Sequence, residues 1–274
     1  MVKVLVNGKN SKFSKKIKQG DRVEIFYIDP PSPTLKAEKI KLHFLYEDEN
    51  VIVINKQQGL VVHPACGHYS GTLVNGLLYH CSEVSAMYDG QNLRPGIVHR
   101  LDKDTSGVII TAKNLNTLEF LSRQFRRSLV KKLYIAIVDR KLPARQGLVK
   151  TIIHRHPVHR KLFACSSINE TAVINGKKAF TKYRVLKEWD KVSLLSLKPY
   201  TGRTHQLRVH MKYLGCPIVG DTLYSKKHLY YSYGLMLHAY KLRIKLPGKD
   251  TPQVFKAPLP GRFRQFLKKM EEHC

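Results

Sequence analysis

The stretch His-Arg-Leu-Asp-Lys-Asp-Thr-Ser-Gly at residues 99–107 runs directly into the apolar triplet Val108-Ile109-Ile110. β-branched and apolar residues of this kind favour a buried strand, and Ser-Gly before them is typical of a loop. The pattern predicts a loop held by a rigid strand, with Asp102 and Asp104 set between basic residues. Such a loop can present an acid to an anionic polymer, but it also suits a turn in which both aspartates bond to local backbone.

The charge of the whole chain favours a polyanionic partner. Lys and Arg number 48 against 20 Asp and Glu, which gives a net charge of +28, and 43% hydrophobic residues are enough to fill a core. A generic basic surface or a membrane-surface protein would share this charge. No apolar run approaches the roughly 20 residues of a spanning helix, and the N-terminus lacks a signal-peptide pattern. We therefore expect a nucleic-acid partner, no membrane association and a cytoplasmic location.

Cysteine and histidine spacing gives no sign of a metal site. The 5 cysteines include no Cys-x-x-Cys pair, which argues for reduced thiols, and Cys66-Gly67-His68 is isolated. His205 and His210 stand five positions apart, which is about 140° around a helix and too far for one ion. We expect no metal.

The N-terminal part reads as a small basic β segment followed by a linker. Residues 2–6 form a strand pattern that ends in the tight-turn signal Asn7-Gly8, and residues 22–26 alternate like a second strand. The proline-rich residues 29–34 begin a predicted linker over 29–41. Residues 1–28 and 42–274 are then the two predicted domains.

The large domain shows more strands than helices. Strand patterns cover 42–46, 51–56, 131–138, 177–188 and 192–198, and a clean alternation over 241–246 gives a further strand. Helices are predicted over 72–80, 116–125 with Asn114 as cap, 205–214 with Thr204 as cap and Gly215 as end, and 260–272. The histidine-rich residues 152–161 look like a solvated or RNA-facing hairpin. The absence of regular βαβ alternation predicts an α+β fold.

Three motifs in this order resemble the RluA family of pseudouridine synthases. They are residues 57–65, residues 99–107 and Gly-Arg-Thr-His-Gln-Leu-Arg-Val-His at 202–210, and the resemblance covers about residues 42–246. The sequence at residues 63–65 and 71–75 is similar to that of the RluD-type branch, which acts on large-subunit ribosomal RNA. Residues 6–9 and 18–23 resemble the second half of an S4 RNA-binding module without its opening helices, so residues 1–28 are expected to be a partial S4-like segment, either reduced or truncated.

The resemblance implies both a fold and a reaction. The fold is a mixed, mostly antiparallel bent sheet with flanking helices around a cleft. The reaction detaches uracil from C1′ of a uridine, turns it and rejoins it through C5, which needs no cofactor. Asp102 matches the catalytic aspartate and can act as a nucleophile at C1′ or as a base at C2′. Asp104 is expected to be a structural turn residue.

The same resemblance assigns roles to five other residues. Arg208 matches the arginine that compensates the buried acid, although an exposed helical arginine is the alternative. Tyr134 matches the tyrosine on the uracil face, although a strand tyrosine commonly packs in a core. Because a uridine in structured RNA must be flipped out, Arg100 is expected to fill its place. His99 is expected to contact RNA or brace the loop, and Arg203, at the turn before the helix, to make a phosphate or structural contact.

The predicted function is therefore pseudouridine formation in RNA. Ribosomal RNA is the expected partner, and the enzyme is expected to be a monomer. Transfer RNA is the alternative substrate. A non-catalytic RNA-binding protein is a second alternative, and the intact set of Asp102, Tyr134 and Arg208 argues against it. A metal-dependent RNA hydrolase is a third, and the histidine spacing argues against that.

Overall fold

The computed structural model describes residues 2–27, 34–65, 67–90, 92–159, 162–168, 176–225 and 230–272. Three features of the sequence analysis lie outside these ranges: Cys66, the prolines of the predicted linker within 29–33, and the last two residues of the basic segment 152–161. Residues 34–41 contain no helix or strand, as expected for a linker. They nevertheless pack on the large domain, since Leu35 is buried and the Lys36 carbonyl accepts a hydrogen bond from the Asn75 side chain at 2.8 Å.

The N-terminal part forms a separate three-stranded antiparallel sheet. Its strands are β1 (Val2–Val6), β2 (Lys9–Asn10) and β3 (Val23–Tyr27), in the order β2-β1-β3. Asn7 and Gly8 both have left-handed backbone angles, with φ of 56° and 74°, which is the conformation of a two-residue hairpin turn. The Asn7 side chain also bonds to Asp21 and to the Arg22 amide. The predicted turn and small β segment are confirmed.

The large domain is built on one ten-stranded sheet. Its strands are β4 (Phe44–Glu47), β5 (Val51–Lys56), β6 (Ser106–Ala112), β7 (Lys131–Asp139), β8 (Gln146–Arg155), β9 (Phe163–Ser167), β10 (Lys177–Glu188), β11 (Val192–Pro199), β12 (Leu237–Ile244) and β13 (Gln253–Lys256). Their order is β4-β5-β6-β12-β7-β11-β10-β8-β9, with β13 paired to β12. All strand pairs in the described residues are antiparallel except β6 with β12, so the predicted mixed, mostly antiparallel sheet is confirmed.

The parallel junction joins the two halves of the sheet and requires a glycine. Gly107 has a φ of +117°, and a Cβ at this position would lie 2.2 Å from the Ala239 carbonyl oxygen. Only glycine allows both this backbone angle and this approach of the strands. The junction directly follows the loop at 99–105, so the same contact that joins the half-sheets also holds that loop.

Within the described ranges, five α-helices flank the sheet: α1 (Leu73–His80), α2 (Ser82–Ala86), α3 (Leu115–Arg126), α4 (Gln206–Tyr213) and α5 (Gly261–Glu272), with a short 3-10 helix at Tyr231–Tyr233. Thr72 caps α1 and Asn114 caps α3 through side-chain bonds to the helix amides. Strand β5 lies buried between β4 and β6, and α5 buries Phe263, Phe266 and Met270 as its spacing predicts. The basic segment differs from the prediction in part, because its first residues, 152–155, belong to β8.

Candidate active site

All six predicted site residues line one cleft of about 500 Å³. Its walls come from the loop before β6, from the segment between α3 and β7, and from the turn that leads into α4. These residues are Asp102, Tyr134, Arg208, His99, Arg100 and Arg203. Residues far apart in the chain thus meet at one site.

Arg208 lies between two carboxylates. Its guanidinium donates two hydrogen bonds to Asp221, at 2.8 Å from Nε and 2.7 Å from Nη2, and its Nη1 lies 3.5 Å from Asp102 Oδ2. Asp221 is completely buried, whereas the Asp102 side chain keeps 20% of its surface exposed. Burial alone would lower the pKa of Arg208, but the hydrogen bonds and charge of Asp221, aided by Asp102, raise it above its ordinary value. The site therefore holds a permanent positive charge beside Asp102.

His205 approaches Asp102 from the start of α4. Its Nε2 lies 4.0 Å from Asp102 Oδ1, and its Nδ1 lies 2.8 Å from the Tyr224 hydroxyl. That hydroxyl accepts a bond from the Phe163 amide, so its own proton is available for His205 Nδ1. Burial lowers the pKa of His205 despite the opposing charge of Asp102. A neutral ring with its proton on Nε2, directed toward Asp102, satisfies these contacts.

The entry into α4 differs from the prediction. The helix begins at Gln206, and His205 precedes it in a left-handed conformation with φ of 55°, so the assignment of Thr204 as cap is wrong. The Gln206 side chain fixes the turn instead. Its oxygen accepts bonds from the Arg203 amide at 3.0 Å and the Thr201 hydroxyl at 2.7 Å, and its nitrogen donates to β10. The strained backbone at His205 is the kind that surrounding contacts must hold in place.

Tyr134 and Lys132 face the cleft from β7. Burial and the nearby charge of Asp102 raise the pKa of the Tyr134 hydroxyl, so it stays protonated at neutral pH. Burial lowers the pKa of Lys132. Sequence analysis did not select Lys132, although its position two residues before Tyr134 on the same strand places both side chains on one face of the sheet.

His99, Arg100 and Arg203 take different positions around the cleft. The His99 Nε2 accepts a hydrogen bond from the Ile110 amide at 3.1 Å, and its ring stacks on Phe125. Burial, with a contribution from Lys132, lowers the pKa of His99 to about 3, so the ring is neutral and braces the loop. Arg100 and Arg203 are exposed, and Arg203 Nε donates to the Lys178 carbonyl. Contact of these three residues with RNA stays a prediction.

A buried lysine at the end of β5 holds the loop that carries Asp102. The Lys56 side chain is completely buried, and its Nζ donates hydrogen bonds to the carbonyl oxygens of Gln57, Leu60 and Lys103 at 2.8–3.0 Å. Three acceptors match the three donors of an ammonium group. Burial lowers the pKa of Lys56 to about 7. Through Lys103 this amine ties the end of β5 to the loop that carries Asp102.

The structure also adds partners that the sequence analysis missed. Asp221 and Tyr224 lie in the segment after α4, where no pattern singles them out, yet they hold Arg208 and His205. No group of three or more potential metal ligands occurs within the described residues. None of the described helices is long and apolar enough to cross a membrane.

A family model and similar proteins of other organisms all point to one family. The family model of RNA pseudouridylate synthase matches residues 50–213. The ribosomal large subunit pseudouridine synthase D of Borreliella burgdorferi is 45% identical over 95% of this chain and 79% of its own length. An uncharacterized RNA pseudouridine synthase of Aquifex aeolicus is 41% identical over 98% of this chain and 86% of its own length.

A solved structure shares the fold. Human RNA pseudouridylate synthase domain containing 4 superposes with a TM-score of 0.68 and 27% identity, over 84% of this chain and 93% of that one. The cleft that gathers Asp102, Tyr134 and Arg208 lies largely within the matched residues 50–213, and the motifs at 57–65, 99–107 and 202–210 all fall within them. This chain belongs to the RNA pseudouridylate synthase family of the RluA type, whose members are isomerases that convert uridine to pseudouridine in RNA.

Proposed function

We propose that this enzyme modifies uridines of large-subunit ribosomal RNA and that Asp102 is its catalytic group. The observation that carries the proposal is the position of the Asp102 carboxylate, which faces a cleft of about 500 Å³ with the held guanidinium of Arg208 3.5 Å away. The substrate assignment is supported by the relative in Borreliella burgdorferi, which is named as a large-subunit enzyme.

Charge compensation gives Arg208 its role. A carboxylate that loses water when RNA closes over the cleft tends to take up a proton unless a cation lies beside it. Arg208 is held by Asp221, so it can remain beside Asp102 without relying on that contact. Asp102 then keeps a free charge, either to displace uracil N1 from C1′ or to remove the C2′ proton as N1 leaves. After uracil turns, C5 bonds to C1′, which releases Asp102 or takes back the C2′ proton, while C5 loses its proton and N1 gains one.

Tyr134 and Arg100 would handle the base. The target nucleotide must leave its stack to reach Asp102, and Arg100 at the exposed edge of the cleft is placed to fill the space it leaves. The ring of Tyr134 can stack on the uracil, and its hydroxyl can relay the proton that C5 loses and N1 gains during rejoining. The reaction moves one bond within the substrate, so it needs no redox cofactor. We further propose that the enzyme works as a monomer in the cytoplasm.

Pseudouridine mapping across all cellular RNA, with and without the gene, tests the substrate. We expect a small number of large-subunit sites to disappear in the deletion strain and to return with the wild-type gene but not with Asp102→Asn. This variant keeps the size of the side chain, so it should still bind RNA. Sites lost only from transfer RNA would contradict the substrate, and restoration by Asp102→Asn would contradict the role of Asp102.

A further inference from the structure

We propose that a second basic groove beside the active cleft binds the ribose-phosphate backbone of the substrate RNA next to the target nucleotide. This groove, here called the α3 groove, has a volume of about 400 Å³ and lies between the end of α3, the start of β7 and the end of β12. The inference rests on one part of the proposed function, namely that RNA binds in the active cleft. Five cationic side chains line the groove: Arg123, Arg127, Lys131, Arg243 and Lys245.

Most of these cations lack an acidic partner in the described part of the chain. Arg123 pairs with Glu119 at 2.8 Å, but no salt bridge between described residues reaches the other four. Lys131 and Arg243 even stand directly opposite each other in the pairing of β7 with β12. Like charges in such a cross-strand pair destabilise a sheet. A bound polyanion would offset this repulsion, because its phosphates attract both cations.

One stretch of chain forms a wall shared by the α3 groove and the active cleft. Along residues 126–132, the alternate residues Arg126, Ser128, Val130 and Lys132 line the active cleft, while Arg127, Leu129 and Lys131 line the α3 groove. An RNA strand that places its target nucleotide in the cleft therefore needs only to cross this wall to meet the second set of cations.

The wall is held in shape before RNA arrives. Ser128 has a left-handed φ of 56°, its amide bonds to the Phe125 carbonyl, and the Leu129 amide bonds to the Gln124 carbonyl, which together close the end of α3 as a Schellman motif. The Gln124 side chain also bonds to both backbone groups of Lys245, at 2.8 and 3.1 Å. These contacts fix the two sides of the α3 groove relative to each other.

The apolar part of the groove also suits a nucleic acid. Leu129 exposes 61% of its surface beside the cations. An exposed apolar side chain next to cations can support a ribose or base while the cations meet phosphates, and each phosphate contact adds to the salt dependence of binding. An acidic protein would meet the same charges, but RNA already has to lie on the other side of the wall.

Binding of unmodified, transcribed large-subunit ribosomal RNA to the full chain tests the proposal. The variant Arg127→Gln/Lys131→Gln/Arg243→Gln should lose at least about 10-fold in affinity at roughly 150 mM salt. The slope of log affinity against log salt should shrink by about 2, as expected for three lost phosphate contacts. The single-turnover rate at saturating enzyme should stay within about 2-fold of wild type. The matched control is Arg264→Gln/Lys268→Gln/Lys269→Gln on α5, which removes the same charge from residues that line neither site.

A single substitution separates RNA binding from a structural role. Arg243→Gln removes the repulsion with Lys131, so it should raise the melting temperature slightly while lowering RNA affinity. Affinity of the triple variant equal to that of the α5 control would overturn the proposal, as would a loss of rate with unchanged affinity. If wild-type enzyme forms no pseudouridine in this RNA but the affinity difference persists, the proposed substrate fails and the α3 groove stands.

Discussion

At the scale of single residues, one guanidinium serves two carboxylates in different ways. Asp221 is fully buried and bonds to Arg208 through both oxygens at 2.7 and 2.8 Å, whereas Asp102 makes one contact of 3.5 Å and stays partly exposed. Asp221 also accepts bonds from the amides of Leu223 and Tyr224. Asp221 is thus the structural partner of Arg208, and Asp102 keeps its lone pairs open to the cleft.

The two carboxylates should therefore respond differently to the same substitution. Asp221→Asn leaves a buried arginine without its main partner, so we expect the free energy of unfolding to fall by about 2–4 kcal/mol. Urea denaturation measures this change, and Asp102→Asn is the matched control, expected to leave stability nearly unchanged. Arg208 should also lose its orientation in Asp221→Asn, which lowers the single-turnover rate. Equal stability of the two variants would contradict the division of roles.

Tyr134 allows stacking and proton transfer to be separated. Tyr134→Phe keeps the ring, so RNA binding should be nearly normal, since stacking is worth about 1–3 kcal/mol. If the hydroxyl relays the proton that C5 loses, the single-turnover rate should fall by roughly 100-fold or more. Tyr134→Leu should be as slow and should also bind RNA more weakly. A wild-type rate in the Phe variant would leave Tyr134 as a stacking surface, and a wild-type rate in the Leu variant would remove it from the reaction.

The sequence allowed the site to be predicted where residues lie in continuous motifs. Asp102, Tyr134 and Arg208 each resemble a family position, and all three line the same cleft. Asp221 was not predicted because its bond to Arg208 spans 13 residues across an irregular segment. Only the folded chain shows that this segment returns to α4.

At the scale of elements, local signals predicted the turns and caps that depend on neighbouring residues alone. Asn7-Gly8 and Asn114 are examples, because their side chains bond within a few residues or suit one backbone conformation. The start of α4 was predicted wrongly because Gln206 bonds to β10, about 25 residues away. The long-range bond outweighs the capping preference of Thr204.

The junction of β6 with β12 contains a glycine on which the position of the Asp102 loop depends. Gly107→Ala would place a Cβ 2.2 Å from the Ala239 carbonyl oxygen, so the strands would have to separate and the Asp102 loop would move with them. We expect a large loss of melting temperature and of activity. Gly248→Ala is the control, because Gly248 also has a positive φ, +68°, but no atom within 4 Å of the added Cβ. That control should cost only about 1 kcal/mol of strain. Similar melting temperatures for the two variants would contradict the close approach.

At the scale of the whole molecule, the net charge of +28 and burial in the core both disfavour the protonation of histidine. Two of the described histidines are completely buried. His210 on α4 lies between the hydroxyls of Thr151 and Thr181, and His238 on β12 lies between the Ser106 hydroxyl and the Ala257 carbonyl. Burial lowers the pKa of each to about 4, and for His238 the charge of Arg262 contributes. Both rings are neutral in the folded protein at neutral pH.

Acid should therefore weaken the fold before its carboxylates titrate. Between about pH 6 and pH 4.5 the unfolded chain binds protons at both histidines, whose ordinary pKa is about 6.5, while the folded protein does not. The rings of His99 and His205, whose pKa values burial also lowers, contribute in the same direction. The free energy of unfolding should thus decrease as pH falls, by roughly 2–4 kcal/mol per pH unit. Urea denaturation at several pH values measures this slope, and His210→Gln, which removes one of these groups, should reduce it by about 1 kcal/mol per pH unit. A stability that does not change over this range would show that the buried rings accept protons without cost.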